Sequence, residues 1–226
     1  SASRDITGLQ FKPDLVWIKN RTQSATHSWQ DSVIGFGDDK TLRVDTSNQL
    51  DTNGNLYGYI NHTLPNGFNV NGGSDHGSSR VNSSDSGAKH VAWCWKAGGS
   101  SSTFNIDGKG YTTAAAAGLD GGSLDPTGAS INTEAGFAIL TYTGTNSVSE
   151  TIAHGLGKKP AWIMVKALNI DGQDWVMYHK ELDGGNQPAT HIFKLNVDNT
   201  EADVNDVWQD TEPTSSVFTI GTEAMV

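Results

Sequence analysis

Three residue types in this sequence could do chemistry: aspartate, histidine and tryptophan. Aspartate supplies 19 of the 25 acidic residues, mostly in Gly- and Asn-rich stretches. Asp51-Thr52-Asn53-Gly54-Asn55 puts oxygen ligands at alternate positions around a glycine, as a calcium loop begins. Position twelve of that loop needs a bidentate acid and holds His62. Asn169 to Asp174 is a second partial match. Asp51, Asn53 and Asn55 are thus candidate binding residues, and calcium is the one cofactor the spacing suggests. Because the pattern stops short, the expectation is no metal and no cofactor. The histidines (27, 62, 76, 90, 154, 179 and 191) show no metal-hydrolase spacing. There is no Gly-x-Ser-x-Gly elbow. A carboxylate pair about 5–9.5 Å apart would serve a glycosidase, but abundant Asp could supply one by chance. No catalytic residue is assigned and the chain is read as non-enzymatic.

The tryptophans are 17, 29, 93, 95, 162, 175 and 208. An exposed Trp offers a flat apolar face to sugar C–H groups and an N–H edge for bonding. Trp17 and Trp162, and Trp29 and Trp175, lie in strand-like runs and are read as core. Trp93 and Trp95 share a face at period two, so they are buried or exposed together. Trp208, among Asn205, Asp206, Gln209 and Asp210, is the candidate exposed aromatic and the fourth binding residue. Cys94 reads as a small buried hydrophobe. As the sole cysteine it excludes an internal disulfide and a cysteine zinc site.

The elements that must position these residues are strands. Good helix formers are scarce, while Gly (26) and Asn (17) are frequent. Short runs rich in β-branched and aromatic residues, bounded by turn residues, occupy 15–18, 91–95, 137–142, 162–165, 175–178, 192–195 and 217–220. Ala114 to Ala117 reads as a turn or one short helix. Asn-Gly and Asp-Gly steps at 53–54, 66–67, 71–72, 107–108, 120–121 and 171–172 read as hairpin turns. The 226 residues carry 15 basic and 25 acidic side chains, for a net charge of -10. That balance argues against nucleic acid, which needs a basic face. No apolar stretch approaches the roughly 20 residues of a membrane span, so membrane insertion is not expected.

The two ends of the chain repeat each other. Gly8-Leu9-Gln10-Phe11-Lys12-Pro13 followed by Asp14 to Lys19 matches Gly155-Leu156-Gly157-Lys158-Lys159-Pro160 followed by Ala161 to Lys166 at a constant offset of 147 (155 minus 8). The Gly-Leu-x-x-x-Pro motif has a mechanical reading: a turn, then a Pro that fixes φ at a strand entry, then a strand ending in a solvated lysine. His154 replaces Thr7 at the equivalent position, which argues against a required catalytic histidine there. Phe137 to Gly144 precedes the second motif with no partner before the first. His90 to Trp95 follows the first with no partner after the second. The expectation is a first sandwich module over 1–99 lacking its first strand, a Gly/Ser/Ala-rich connector over 100–135, and a second module over 136–226 lacking its last strand. The alternative is that the modules share strands across their junction. The chain is read as all-β, a tandem of antiparallel β-sandwich modules of the lectin-like or jelly-roll type.

Ile6 to Arg21, Val91 to Gly99 and His154 to Pro160, with Asp31-Ser32-Val33-Ile34-Gly35 and Gly67-Phe68-Asn69-Val70-Asn71 between them, resemble a repeat domain of tailed-bacteriophage virion proteins, marine ones especially. The likeness covers nearly the whole chain and is specific in motif order. It implies an exterior virion module, in a tail fibre or appendage acting in host attachment. Capsid decoration and a plain spacer are its neighbours. The partners it implies are other virion proteins and further copies of this chain, with a host-surface glycan or protein as the outward ligand. The alternative function is a carbohydrate-binding or polysaccharide-cleaving domain. The Asn/Gly-rich stretch from Asp51 to Ser86 departs from the family pattern and is where a variable surface would sit.

Overall fold

A computed structural model describes residues 3–75, 77, 79–85 and 87–226. The chain is all-β, with 34% strand and 8% helix. The first part carries β1 (Ser3–Thr7), β2 (Leu15–Asn20), β3 (Ser28–Asp31), the single-turn helix α1 (Gly54–Tyr57), β4 (Tyr59–Leu64), β5 (Gly67–Asn71) and β6 (His90–Trp95). The middle carries β7 (Phe104–Ile106), β8 (Lys109–Tyr111), a 3-10 turn at Ala115–Ala117, β9 (Gly128–Asn132) and β10 (Phe137–Thr141). The last part carries β11 (Glu150–Ala153), β12 (Trp162–Val165), β13 (Val176–His179), β14 (His191–Lys194), β15 (Ala202–Asp203), the single-turn helix α2 (Asn205–Trp208) and β16 (Val217–Ile220). Every run singled out by composition lies on a strand.

The repeat is visible in the pairing. β1 runs antiparallel to β5, with Ile6 opposite Phe68. β11 runs antiparallel to β16, with Ile152 opposite Phe218. β2 pairs with β3, and β12 pairs with β13 in the same way. α1 and α2 end on equivalent bonds, Gly58 N–H to Gly54 O and Gln209 N–H to Asn205 O. In each half, one face of the sheet closes a sandwich core. Val16 and Ile18 meet Ile60, Phe68 and Val70 in the first. Ile163 and Val165 meet Tyr178, Ile192, Val207 and Trp208 in the second.

Both halves therefore begin on an equivalent strand, β1 and β11. β10, read from sequence as the opening strand of the second module, belongs elsewhere. It pairs with β9 in a separate sheet of order β10-β9-β7-β8. Residues 100–135, read from sequence as a Gly/Ser/Ala-rich connector, carry β7, β8 and β9. Phe104, Leu119, Ala129 and Ile131 are buried together there. Glycine there serves tight backbone packing: a Cβ on Gly122 would fall 2.3 Å from Thr151 O. This sheet also holds a parallel pair, β7 with β9, against the antiparallel expectation. Of the six Gly steps read as hairpins, Asn66-Gly67 and Asp107-Gly108 join paired strands. Asp107 and Gly108 both have positive φ, which suits a two-residue hairpin. Asn53-Gly54 instead starts α1.

Candidate functional site

The four residues chosen from sequence do not come together. Trp208 is a correction. It is 2% exposed, meets Tyr178 edge-on at 6.4 Å, and lies in the second sandwich core. α2 is one turn long, and its polar residues Asn205 and Asp206 take the solvent side, leaving Val207 and Trp208 to face inward. No described residue bonds its Nε1.

Asp51 is the second correction. Its carboxylate is buried and fully engaged by protein groups. Oδ2 accepts Arg43 Nη2 at 2.8 Å and Arg80 Nη1 at 2.5 Å, and Oδ1 accepts Asn53 N–H at 2.9 Å. Arg80 also lies over the Tyr57 ring, 4.7 Å from its centroid. Burial works to raise the Asp51 pKa, but the two guanidiniums and the Asn53 N–H outweigh it and hold the carboxyl below its ordinary value. Two cations thus occupy the place a calcium ion would need. Asn53 and Asn55 are exposed on α1 and its approach. The second partial loop is likewise engaged: Asp171 accepts Gln49 N–H, and Asp174 accepts Asn196 and Lys194. No three His, Cys, Asp or Glu side chains converge as a metal site among the described residues. His76, Ser78 and Ser86, within the stretch read as a variable surface, lie outside the described residues.

What the fold does assemble is an aromatic seam. The outer face of the β2–β3 sheet carries Trp17 and Trp29. The outer face of the β12–β13 sheet carries Met164, and Trp175 stands at the entry to β13. These faces pack on each other with Leu42 and Val44 between them. The repeat-equivalent Trp29 and Trp175 touch, with ring centroids 5.6 Å apart. From Trp29 the rings continue to Trp95 at 6.5 Å and on to Phe137 at 6.2 Å. In the other direction Trp17 meets Trp93 at 5.2 Å and His27 at 5.7 Å. The Trp17 indole donates to His27 Nδ1 at 2.9 Å, which makes that ring nitrogen an acceptor and the imidazole neutral. Burial lowers the His27 pKa in the same sense.

Two of the tryptophans are exposed. Trp93 is 43% exposed at one end of the seam, braced from beneath by Trp17. Trp162 is 51% exposed on β12. Trp162 was read as core with Trp17, and it differs because Leu15, its repeat equivalent, is covered by β6 whereas Trp162 is not. The strand-end lysines are also less solvated than expected. Lys19 Nζ donates to Ala25 O and Lys166 Nζ to Gln173 O, so each clamps the loop that follows its strand. Cys94 is half-buried against the first core, and burial pushes its thiol up to about 11. That keeps it protonated and unreactive at neutral pH. A cleft of about 170 Å³ lies beside β14 and β15, lined by Ile192, Lys194, Thr200, Val204, Glu223 and Met225. It is smaller than the roughly 300 Å³ at which ligand pockets begin.

The fold and the seam define an all-β protein of two pseudo-equivalent sandwich halves, joined through a third sheet and locked face to face by tryptophans. The chain belongs to the family described as a domain of unknown function (DUF7483), whose model matches residues 1–226. Comparison with curated proteins and with solved structures gave no match. No helix among the described residues is long and apolar enough to cross a membrane.

Proposed function

We propose that this chain is a non-enzymatic structural module of the exterior of a tailed-phage virion, in a tail fibre or appendage that serves host attachment. The observation that carries the reading is the lock between its halves. Trp29 and Trp175 in contact turn a tandem repeat into one rigid block. Rigid repeating blocks with polar, turn-rich surfaces suit a load-bearing appendage. The motif order that resembles tailed-phage virion proteins supplies the setting. Other virion proteins and further copies of the chain are its partners on this reading. Mass spectrometry of purified virions tests it. The polypeptide is expected in fixed stoichiometry with the tail proteins. Virions lacking it would end the proposal, and a map placing it on the capsid shell would move it from fibre to decoration.

A second reading has its own observation. Trp93 is exposed and packs on Trp17 with the two rings tilted by 47°, and an exposed, braced indole is what a sugar-stacking platform needs. A host-surface glycan would be its ligand. A glycan array is expected to show binding that Trp93→Ala abolishes, and an array with no binding removes this reading.

A further inference from the structure

We infer that the open edge of β12 accepts one more strand, and that its occupant is an extended peptide with the pattern of β6, running antiparallel to β12. This rests on strand pairing alone and is independent of where the protein acts. β2 and β12 are repeat equivalents. Both turn two aliphatic side chains into a sandwich core, and at the end of each a lysine, Lys19 in β2 and Lys166 just after β12, clamps the next loop. They differ in pairing. β2 lies between β3 and β6, whereas β12 is the end strand of the order β12-β13-β14-β15.

The backbone of β12 shows which groups are left over. Lys180 N–H donates to Ala161 O, and Ile163 and Val165 follow at period two opposite Tyr178 and Val176. The N–H and C=O groups of Trp162 and Met164 therefore point away from β13. No described residue bonds them. On β2 the equivalent outward groups are those of Leu15 and Trp17, and these face Trp95 and Trp93 of β6. The exposure follows: Leu15 is 1% exposed and Trp162 is 51%. An unpaired edge flanked by a large exposed aromatic is a template for strand addition.

The chain itself supplies the pattern of the occupant. β6 is His-Val-Ala-Trp-Cys-Trp, apolar with aromatics at alternate positions and with no acidic residue. A segment of that kind meets no like-charge repulsion from a chain of net charge -10. A second copy docking edge to edge brings ten further negative charges. Transferring the β2–β6 register to β12 places the peptide's second aromatic opposite Trp162 and its first opposite Met164.

The test is a fluorophore-labelled peptide of residues 89–97, with Cys94→Ser, titrated onto the full chain and read by anisotropy. Saturable binding is expected, with a blue shift of Trp162 emission that Trp162→Phe removes. Met164→Pro deletes an outward N–H at a position where an edge strand tolerates proline. It should weaken binding about tenfold, the ratio that one lost ladder bond produces. Trp162→Lys, which leaves the β13 ladder intact, should weaken it at least as much. A shuffled peptide without the alternation should not bind. Near-UV circular dichroism of the buried tryptophans confirms that each variant is folded. Absence of saturable binding, or equal binding by both variants, overturns the inference. Self-association of the chain that Met164→Pro abolishes, without peptide binding, assigns the edge to a second copy and overturns it too.

Discussion

At the residue scale, the buried carboxylates divide into two groups with opposite pH behaviour. Asp51 has its pKa held low in the fold, so its contribution to stability is present above the ordinary value of 3.8 and is lost as pH falls through the lowered value. Replacing it strands Arg43 and a nearly buried Arg80. Asp51→Ala should therefore cost about 3–5 kcal/mol in urea unfolding, the range for breaking a buried ion pair by removing one partner. Asp31 is the reverse. Burial raises its pKa, and nearby Asp14 adds to the rise, against the Val33, Ile34 and Trp29 N–H groups that favour the anion. A raised carboxyl binds its proton more tightly in the fold, so stability falls as pH rises from 3.8 through the raised value. Asp31→Asn keeps an oxygen for the two backbone donors and removes the titration. Stability measured from about pH 4 to neutrality should fall less steeply in Asp31→Asn than in the parent. An unchanged slope would show that Asp31 is not the titrating group. The sequence marked Asp51 as a candidate cation ligand, whereas the fold gives its carboxylate to two arginines. The oxygen-rich local pattern was legible, whereas Arg80 lies 29 residues away and reaches it only in the fold. Trp208 failed for a different reason: a single helical turn is too short to show a buried face as a period.

At the element scale, seven apolar runs announced their strands because burial selects β-branched and aromatic residues. Strands such as β1 (Ser-Arg-Asp-Ile-Thr) and β9 (Gly-Ala-Ser-Ile-Asn) did not. β1 is exposed along its length, and β9 is buried through small residues that carry little hydropathy. The Gly-Leu-x-x-x-Pro motif was legible as a turn before a strand, but its two copies have come to differ in what surrounds them. Gly8 and Gly155 both have positive φ. A Cβ on Gly8 would meet nothing within 4 Å, whereas one on Gly155 would fall 2.7 Å from Ile131 Cδ1 and 2.9 Å from Leu119 Cδ2. Both substitutions incur the left-handed backbone penalty, and only the second adds overpacking of about 1–3 kcal/mol. Thermal melts should show Gly155→Ala destabilised beyond Gly8→Ala by that margin. Beside Gly155, His154 Nδ1 accepts Leu156 N–H, so its Nε2–H serves Thr214 O. Burial lowers its pKa. Its contribution is present above the ordinary 6.5 and is lost as pH falls through the lowered value.

At the scale of the whole molecule, the question is whether two sandwich halves unfold as one body. Their sequences suggested tandem modules on a linker, which would give independent transitions. The packing argues for one. Trp175 is 3% exposed, rests on its equivalent Trp29, and donates its indole N–H to Arg43 O at 2.9 Å. Around it, Leu50 N–H donates to Leu168 O and Lys166 Nζ to Ser47 O, so each half closes the other's loop. The third sheet adds a second tie, since Ala153 and Leu156 of the last part pack with Phe104 and Ile131. Calorimetry of the parent chain should give one transition whose van't Hoff and calorimetric enthalpies agree. Trp175→Ala removes the central contact and leaves a cavity, at about 3–5 kcal/mol. Because that loss falls on the seam and spares both sandwich cores, the calorimetric enthalpy should then exceed the van't Hoff value as the halves begin to melt separately. Trp175→Phe keeps the apolar contact and loses only the bond to Arg43 O, about 1 kcal/mol, and should remain a single transition at lower temperature. Two transitions in the parent, or one in Trp175→Ala with matching enthalpies, would show that the seam is not what couples the halves.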